Sequence, residues 1–352
     1  MTSRNWFADS PTCAFEKITG GIEEQKPMRS SLKRAKPLSA MLITVCLALA
    51  GLSLAGCARK RGKTVVGFSQ MENNGPWRIA ETTSMSEEAR KRADKFDFRI
   101  TDAQGQTSKQ VADVEDLVAQ GVNAIFLAPR EFEGLAPALK AAREAGIPVF
   151  LIDRAAAGQA GQDYVAFLGS DFIQQGRRAG EWLAKQTNGR AGIVELTGTA
   201  GSSVARDRSQ GFMEAIKQFP DMKIIASQTG DFTRATGQKV MENIIQARNR
   251  EITAVYAHND EMALGAIQAL KSAGMNPGKD VLIVSVDGQK SALEAIIRGE
   301  MNVTVESNPR FGPLAFDTLE KFLRGEQIPP KIILEDRFFD KSNAQQFVNE
   351  AY

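Results

Sequence analysis

Asp153 and Arg154 follow four apolar residues, Val149, Phe150, Leu151 and Ile152, and stand where a buried strand gives out into a loop. A carboxylate and a guanidinium at such a point either close a turn as a surface ion pair or hold a ligand. The second role arises because the carboxyl ends of strands in an open α/β sheet face the ligand crevice. The arrangement recurs along the chain. Past the ends of other apolar runs stand Asn74, Trp77 and Arg78, then Phe232, Asn259, Asp287 and Glu306, with Arg208 slightly further from its strand. The set combines two aromatics with planar, multiply hydrogen-bonding side chains. It contains neither a nucleophile beside a base nor a group of metal ligands. A neutral polyhydroxylated ligand suits this mixture: charge-assisted hydrogen bonds contribute about 1.5–3 kcal/mol each, and aromatic faces suit the weakly positive C–H faces of a sugar ring. Each residue also has a plainer role available. Asn259 could cap a helix, Asp287 could serve the turn it makes with Gly288, and Trp77 and Phe232 could belong to the core.

The elements that must position these residues alternate regularly. Apolar runs at 65–70, 98–101, 124–128, 149–152, 165–168, 193–196, 223–227, 254–257 and 282–286 read as strands. Between them, alanines and charges at helical spacing predict helices over 79–96, after a loop at 72–78, and over 108–120, 135–145, 172–187 and 204–219. Such alternation means parallel sheets with helices on both faces. The pattern restarts near residue 170, and two stretches echo between the halves: Val114–Leu117 before a strand matches Met241–Ile244, and Ala145-Gly146 matches Ala273-Gly274. Two similar α/β lobes are expected, with a strand at 303–305, a helix at 311–323 and one final strand near 332–339 crossing back between them. Gly176 and Gly180 fall within a helix and read as points of close packing. Gly198 and Gly201 form only a Gly-x-x-Gly, which is not a dinucleotide fingerprint.

The 352 residues suffice for two ordinary domains, and 43% apolar with 24% charged residues is the composition of a soluble globular protein. Cys13, Cys46 and Cys57 all lie in the first 57 residues, so the body has neither a disulfide nor a thiolate metal site. His258 is the only histidine, which removes Ser-His-Asp and Cys-His catalysis and leaves it a structural role. Residues 1–57 hold 7 Lys and Arg and 4 Asp and Glu; of the chain's 44 and 42 this leaves 37 and 38 for the body, a net −1 that suggests no nucleic-acid partner.

Residues 37–58 carry no charge and follow a basic stretch with Arg29, Lys33, Arg34 and Lys36, the layout of a secretory signal. The signal ends in Leu54-Ala55-Gly56-Cys57, which resembles the lipobox of bacterial lipoproteins, whose cysteine is acylated and becomes the first mature residue. A retained transmembrane anchor is the alternative, since the apolar run is just long enough to span. Residues 1–27 place Glu16, Glu23 and Glu24 ahead of the basic region, so translation is expected to start at Met28.

From Val65 onward the chain resembles the type I periplasmic sugar-binding proteins of ABC importers, and among them most nearly the galactofuranose binders. The resemblance is carried by Val66-Gly67-Phe68-Ser69-Gln70, Trp77-Arg78, Phe150-Leu151 with Asp153-Arg154, Gly230-Asp231-Phe232-Thr233-Arg234, Tyr256-Ala257-His258-Asn259-Asp260 and Gly312-Pro313. It implies an α/β fold of two Rossmann-like lobes joined by a multi-strand hinge that closes on ligand. The expected organisation is an extension and signal at 1–57, a tether at 58–63, one lobe from 64–169 and 307–335, and a second from 170–306 and 336–352. It further implies that Trp77 and Phe232 sandwich a monosaccharide, that Asp153, Arg154 and Arg208 bond its hydroxyls, and that Asn259, Asp287 and Glu306 complete the ring. No cofactor and no catalysis are implied. The expected partners are permease subunits and, through Cys57, a membrane facing the periplasm, with the receptor a monomer. The first loop, Asn73-Asn74-Gly75-Pro76, departs from the more acidic family segment. Three other classes compete. A lactose-repressor-type regulator needs an N-terminal helix-turn-helix where this chain has an apolar signal. A receptor presenting sugar to a chemoreceptor or sensor kinase needs the same lobes. A glycosidase would need Asp153 and Glu306 as its carboxyl pair.

Overall fold

The computed structural model describes residues 62–248 and 251–352. The expected export signal, Cys57 and the expected start at Met28 lie outside the described residues.

Two six-stranded sheets share one plan. The first contains β1 (Thr64–Gln70), β2 (Phe96–Asp102), β3 (Ala124–Leu127), β4 (Val149–Ile152), β5 (Ala166–Ser170) and β11 (Lys331–Leu334), in the order β11-β5-β4-β3-β1-β2. The second contains β6 (Arg190–Thr197), β7 (Asp221–Thr229), β8 (Ala254–Ala257), β9 (Leu282–Asp287), β10 (Val303–Glu306) and β12 (Phe338–Asp340), in the order β12-β10-β9-β8-β6-β7. The orders superimpose strand for strand, which is what the sequence echoes between the halves imply. All pairings are parallel except that of β12 with β10. β3, β4 and β8 are buried at every residue, as strands covered on both faces by helices must be.

The helices fall between the strands: α1 (Gly75–Lys91), α2 (Thr107–Ala119), α3 (Ala136–Glu144), α4 (Phe172–Gln186), α5 (Ser203–Ile216), α6 (Arg234–Arg248), α7 (Asp260–Ser272), α8 (Lys290–Arg298), α9 (Gly312–Leu323) and α10 (Ala344–Phe347). α1 stops at Lys91, five residues before the sequence pattern suggests. Phe96 begins β2 instead, with its ring edge-on to Phe316 of α9 at 5.2 Å. Beneath the first sheet, Phe126 and Phe150 join the same aromatic cluster. Beneath the second, Phe212 of α5 stacks on Tyr256 of β8 at 4.0 Å.

The single closing strand expected near 332–339 is two strands. β11 adds parallel to the first sheet and β12 antiparallel to the second, with Glu335, Asp336 and Arg337 between them. The three consecutive charges interrupt the apolar run, a signal that the expectation of a single strand passed over. The chain therefore passes between the sheets three times, after β5, after β10 and after β11, and these crossovers form the multi-strand hinge.

α4 and α5 lie close enough that their glycines are obligatory. A Cβ on Gly176 would meet the carbonyl oxygen of Arg208 at 2.1 Å, and one on Gly211 would meet that of Ile173 at 1.9 Å. A backbone obstacle yields less readily than a side chain. Gly176→Ala is expected to cost roughly 1–3 kcal/mol in urea unfolding, whereas a wild-type midpoint would show that the two helices part without penalty.

Candidate functional site

A cavity of about 290 Å³ opens where the carboxyl ends of β1, β4, β6, β7, β8, β9 and β10 face one another across the two sheets. Its walls include Asn74, Trp77, Arg78, Asp153, Arg154, Arg208, Phe232, Asn259 and Asp287, nine of the ten residues singled out from sequence. They come from both sheets, separated by up to 213 positions in the chain.

On the first side the pairing differs from the simplest reading of Asp153-Arg154. Asp153 accepts from Arg78 Nη2 at 2.7 Å, while Arg154 Nε lies 3.8 Å from the same carboxylate. Arg78 also donates to Glu81 at 2.8 Å, and Gln70 Nε2 donates to that same Glu81 oxygen at 2.8 Å. None of this is a surface salt bridge, for Asp153 and Arg154 are each 4% exposed. Burial works against the charge of Arg78, but Asp153 and Glu81 together outweigh it and raise its pKa. Arg154 is pushed the other way, first by burial and then by the like charge of Arg78. It donates to the Arg130 carbonyl at 2.9 Å and sits 5.2 Å from the Phe232 ring centroid, while its buried Nε makes no hydrogen bond among the described residues.

Two aromatics frame the cavity by different means. Trp77 opens α1, is half-buried, and donates its indole N–H to the Ser307 carbonyl at 2.8 Å. Phe232 lies beyond β7 with a left-handed backbone (φ 57°) and packs over Gly198 so closely that any Cβ there would fall within its ring. Asn259 performs the capping role as well as lining the cavity. Its Oδ1 accepts from Met262 N at the start of α7, and its Nδ2 donates to the Phe232 carbonyl, each at 3.0 Å. Asn74 occupies the corresponding position before α1 with no capping bond, so its amide is uncommitted among the described residues.

On the second side Arg208 is 3% exposed and threefold restrained. Nε donates to Gln175 Oε1 at 2.9 Å, Nη1 donates to the His258 carbonyl, and Nη2 lies 3.5 Å from Asp287 Oδ1. Burial raises the Asp287 carboxyl well above its ordinary range despite Arg208. The His258 ring is wholly buried, accepts from Gly198 N at 3.4 Å and faces Glu195 at 3.2 Å, the structural part expected of it. Burial would raise Glu195; hydrogen bonds from His258, Ser209 and Ser227 prevail and hold it near 2.

Glu306 is the exception. Its carboxylate does not line the cavity, because Arg337 takes it with Nε at 2.8 Å and Nη2 at 2.7 Å, and with its backbone N–H at 3.0 Å. It is a hinge ion pair, which also withdraws it from any carboxyl pair with Asp153, and Ser307 lines the cleft in its place. The wall further includes Glu72, Asp231, Thr233, Arg234 and Glu261, which sequence reasoning passed over. Each stands within two residues of one that was chosen, so the same strand-end criterion could have found them. Among the described residues no group of His, Cys, Asp and Glu could hold a metal ion.

Residues 66–327 match the family model described as a periplasmic binding protein domain. The chain belongs to the periplasmic binding protein family. The chain is 47% identical over 272 residues to the galactofuranose-binding protein YtfQ of Escherichia coli K12, covering 76% of this chain and 85% of that protein. A crystal structure of a galactofuranose-binding protein has a TM-score of 0.79 at 43% identity, covering 81% of this chain and 97% of the other. The binding component of the arabinose ABC transporter from Shewanella sp. ANA-3, solved with α- and β-L-arabinofuranose, has a TM-score of 0.78 at 41% identity, covering 82% and 95%.

Burial raises the Glu81 carboxyl well above its ordinary 4.5, against the pull of Arg78. The folded state therefore keeps a proton that the unfolded state gives up. The stability this group contributes is full below about pH 4.5 and is lost as pH rises through the raised value. Glu81→Gln is expected to flatten the fall of the thermal midpoint between about pH 5 and pH 8. Parallel wild-type and variant profiles would show that Glu81 is ionised in the fold throughout.

Proposed function

We propose that this periplasmic binding protein is the receptor of a sugar ABC importer. It takes a monosaccharide, galactofuranose or a similar pentose or hexose, into the cleft and delivers it to permease subunits without chemical change. The observation that carries this reading is the charge balance of the cleft. Four arginines (Arg78, Arg154, Arg208, Arg234) and five carboxyl groups (Glu72, Asp153, Asp231, Glu261, Asp287) line the cleft together with Trp77 and Phe232. An ion of either sign gains little from walls that already neutralise themselves, whereas a neutral polyol uses every group as donor or acceptor. Arg154 Nε, which makes no hydrogen bond among the described residues, is one such donor. The furanose ligands named for the relatives at 41–47% identity support the same cargo class.

Asn74, Trp77, Arg78, Asp153, Arg154, Arg208, Phe232, Asn259 and Asp287 form the binding set. Trp77 and Phe232 take the ring faces, Asp153, Arg154 and Arg208 take hydroxyls, and Arg78 and Asn259 hold Asp153 and the Phe232 loop in place. The proposed division into lobes is 64–169 with 307–335 and 170–306 with 336–352, acting as a monomer. Lipidation of Cys57 would hold the protein on the periplasmic side of a membrane.

Calorimetric titration of ligand-stripped protein with galactofuranose, galactopyranose, ribose and arabinose is expected to give micromolar or tighter binding for one of them. Silence with all four would refute the sugar reading. Asp153→Ala and Arg208→Ala are each expected to cost about 2–5 kcal/mol of affinity, since truncation leaves a buried charge without its partner. Wild-type affinity in either would remove that residue from the site. Cys57→Ser is expected to leave sugar binding intact and free the protein from membranes; continued retention would favour a transmembrane anchor.

A further inference from the structure

Gln175 lies on α4, is 1% exposed and does not line the ligand cavity. Its amide nevertheless joins the ligand arginine to the hinge. Oε1 accepts from Arg208 Nε at 2.9 Å. Nε2 donates to Asp336 Oδ2 at 2.7 Å and to the Glu306 carbonyl at 3.1 Å. Asp336 belongs to the third crossover and Glu306 ends the strand that enters the second. The first is reached through Asp336 Oδ1, which accepts from Ser170 Oγ at 3.0 Å, at the end of β5. Arg178, one turn on from Gln175, donates to the Asp336 carbonyl at 2.7 Å.

We propose that Gln175 is a positioning residue through which all three hinge crossovers set the orientation of Arg208, so that ligand affinity depends on hinge conformation through one side-chain amide. The residue type follows from the demand. The position must accept from a guanidinium on one side and donate to a carboxylate and a carbonyl on the other, and glutamine offers both polarities on one planar group. A change in the angle between crossovers moves Asp336 relative to the Glu306 carbonyl, and Gln175 must follow the pair or break with one of them. Either response displaces the acceptor of Arg208 Nε. The inference rests on the sugar-receptor reading for its ligand but not for its geometry.

Gln175→Glu keeps shape and the attraction to Arg208 while turning the donor into an acceptor facing Asp336 and the Glu306 carbonyl. The variant is expected to bind sugar about tenfold more weakly. Without sugar, its amides at all three crossovers should exchange hydrogen faster than those of the wild type. Adding Asp336→Asn supplies a donor opposite the introduced carboxylate and is expected to restore both readouts, a rescue that a merely destabilised fold would not show. Wild-type affinity in Gln175→Glu, unchanged exchange at the crossovers, or a loss that Asp336→Asn does not repair would each overturn the proposal. If the wild type binds none of the sugars, the receptor reading fails, and exchange with its rescue in the ligand-free protein still decides the role of Gln175.

Discussion

Arg78 paired with Asp153 and Glu81, and Arg208 paired with Asp287, place charged side chains at no more than 7% exposure where the ends of two sheets meet. Removing such groups from water costs several kcal/mol per ion, and their mutual attraction offsets this only where geometry and further hydrogen bonds are good. The fold supplies both. Arg78 is held by two carboxyl groups, and Arg208 by a carboxylate, a side-chain amide and the carbonyl of a histidine whose ring is itself fixed by Glu195. The pairs balance each other's charge, so that four arginines face five carboxyl groups around the cleft.

Backbone strain gathers in the same place. Among the described residues the non-glycine positions with positive φ are Gln104, Asp153, Asn188, Asp231, Phe232 and Asp287, and four of these line the cleft. Each left-handed residue costs of order 1–3 kcal/mol and persists only where its surroundings over-determine it. At Asp153 the surroundings are a backbone bond to Leu168 and the guanidinium of Arg78. At Phe232 they are the amide of Asn259 and the glycine beneath its ring. Positive φ thus turns Asp153, Asp231, Phe232 and Asp287 toward the cleft they line.

Two sheets with one strand order are tied by three crossovers, and charged groups mark where the crossovers meet. Glu306 with Arg337 joins the second crossover to the third. Asp336 joins the third to the first and, through Gln175, to Arg208. The hinge and the site are thus built from one connected polar network rather than from a flexible linker beside a rigid pocket.

The alternation of strands and helices, the double α/β plan and nine of the cleft residues were legible in the amino-acid sequence. Apolar periodicity reports burial, and strand ends in such a fold converge on a crevice. The break inside 332–339 was marked by the charges Glu335-Asp336-Arg337, but the sheet that each side joins was not legible. Both halves are apolar enough to be strands, and which sheet each one joins is decided by partners more than 30 residues away in the chain. The fate of Glu306 was hidden for the same reason, because Arg337 reaches it only once β12 lies antiparallel to β10. Sequence determined which residues stand at the ends of strands. Only the tertiary structure decided which of them spend their hydrogen-bonding groups on one another and which leave them facing the cleft, since that depends on distances between side chains that local pattern does not encode.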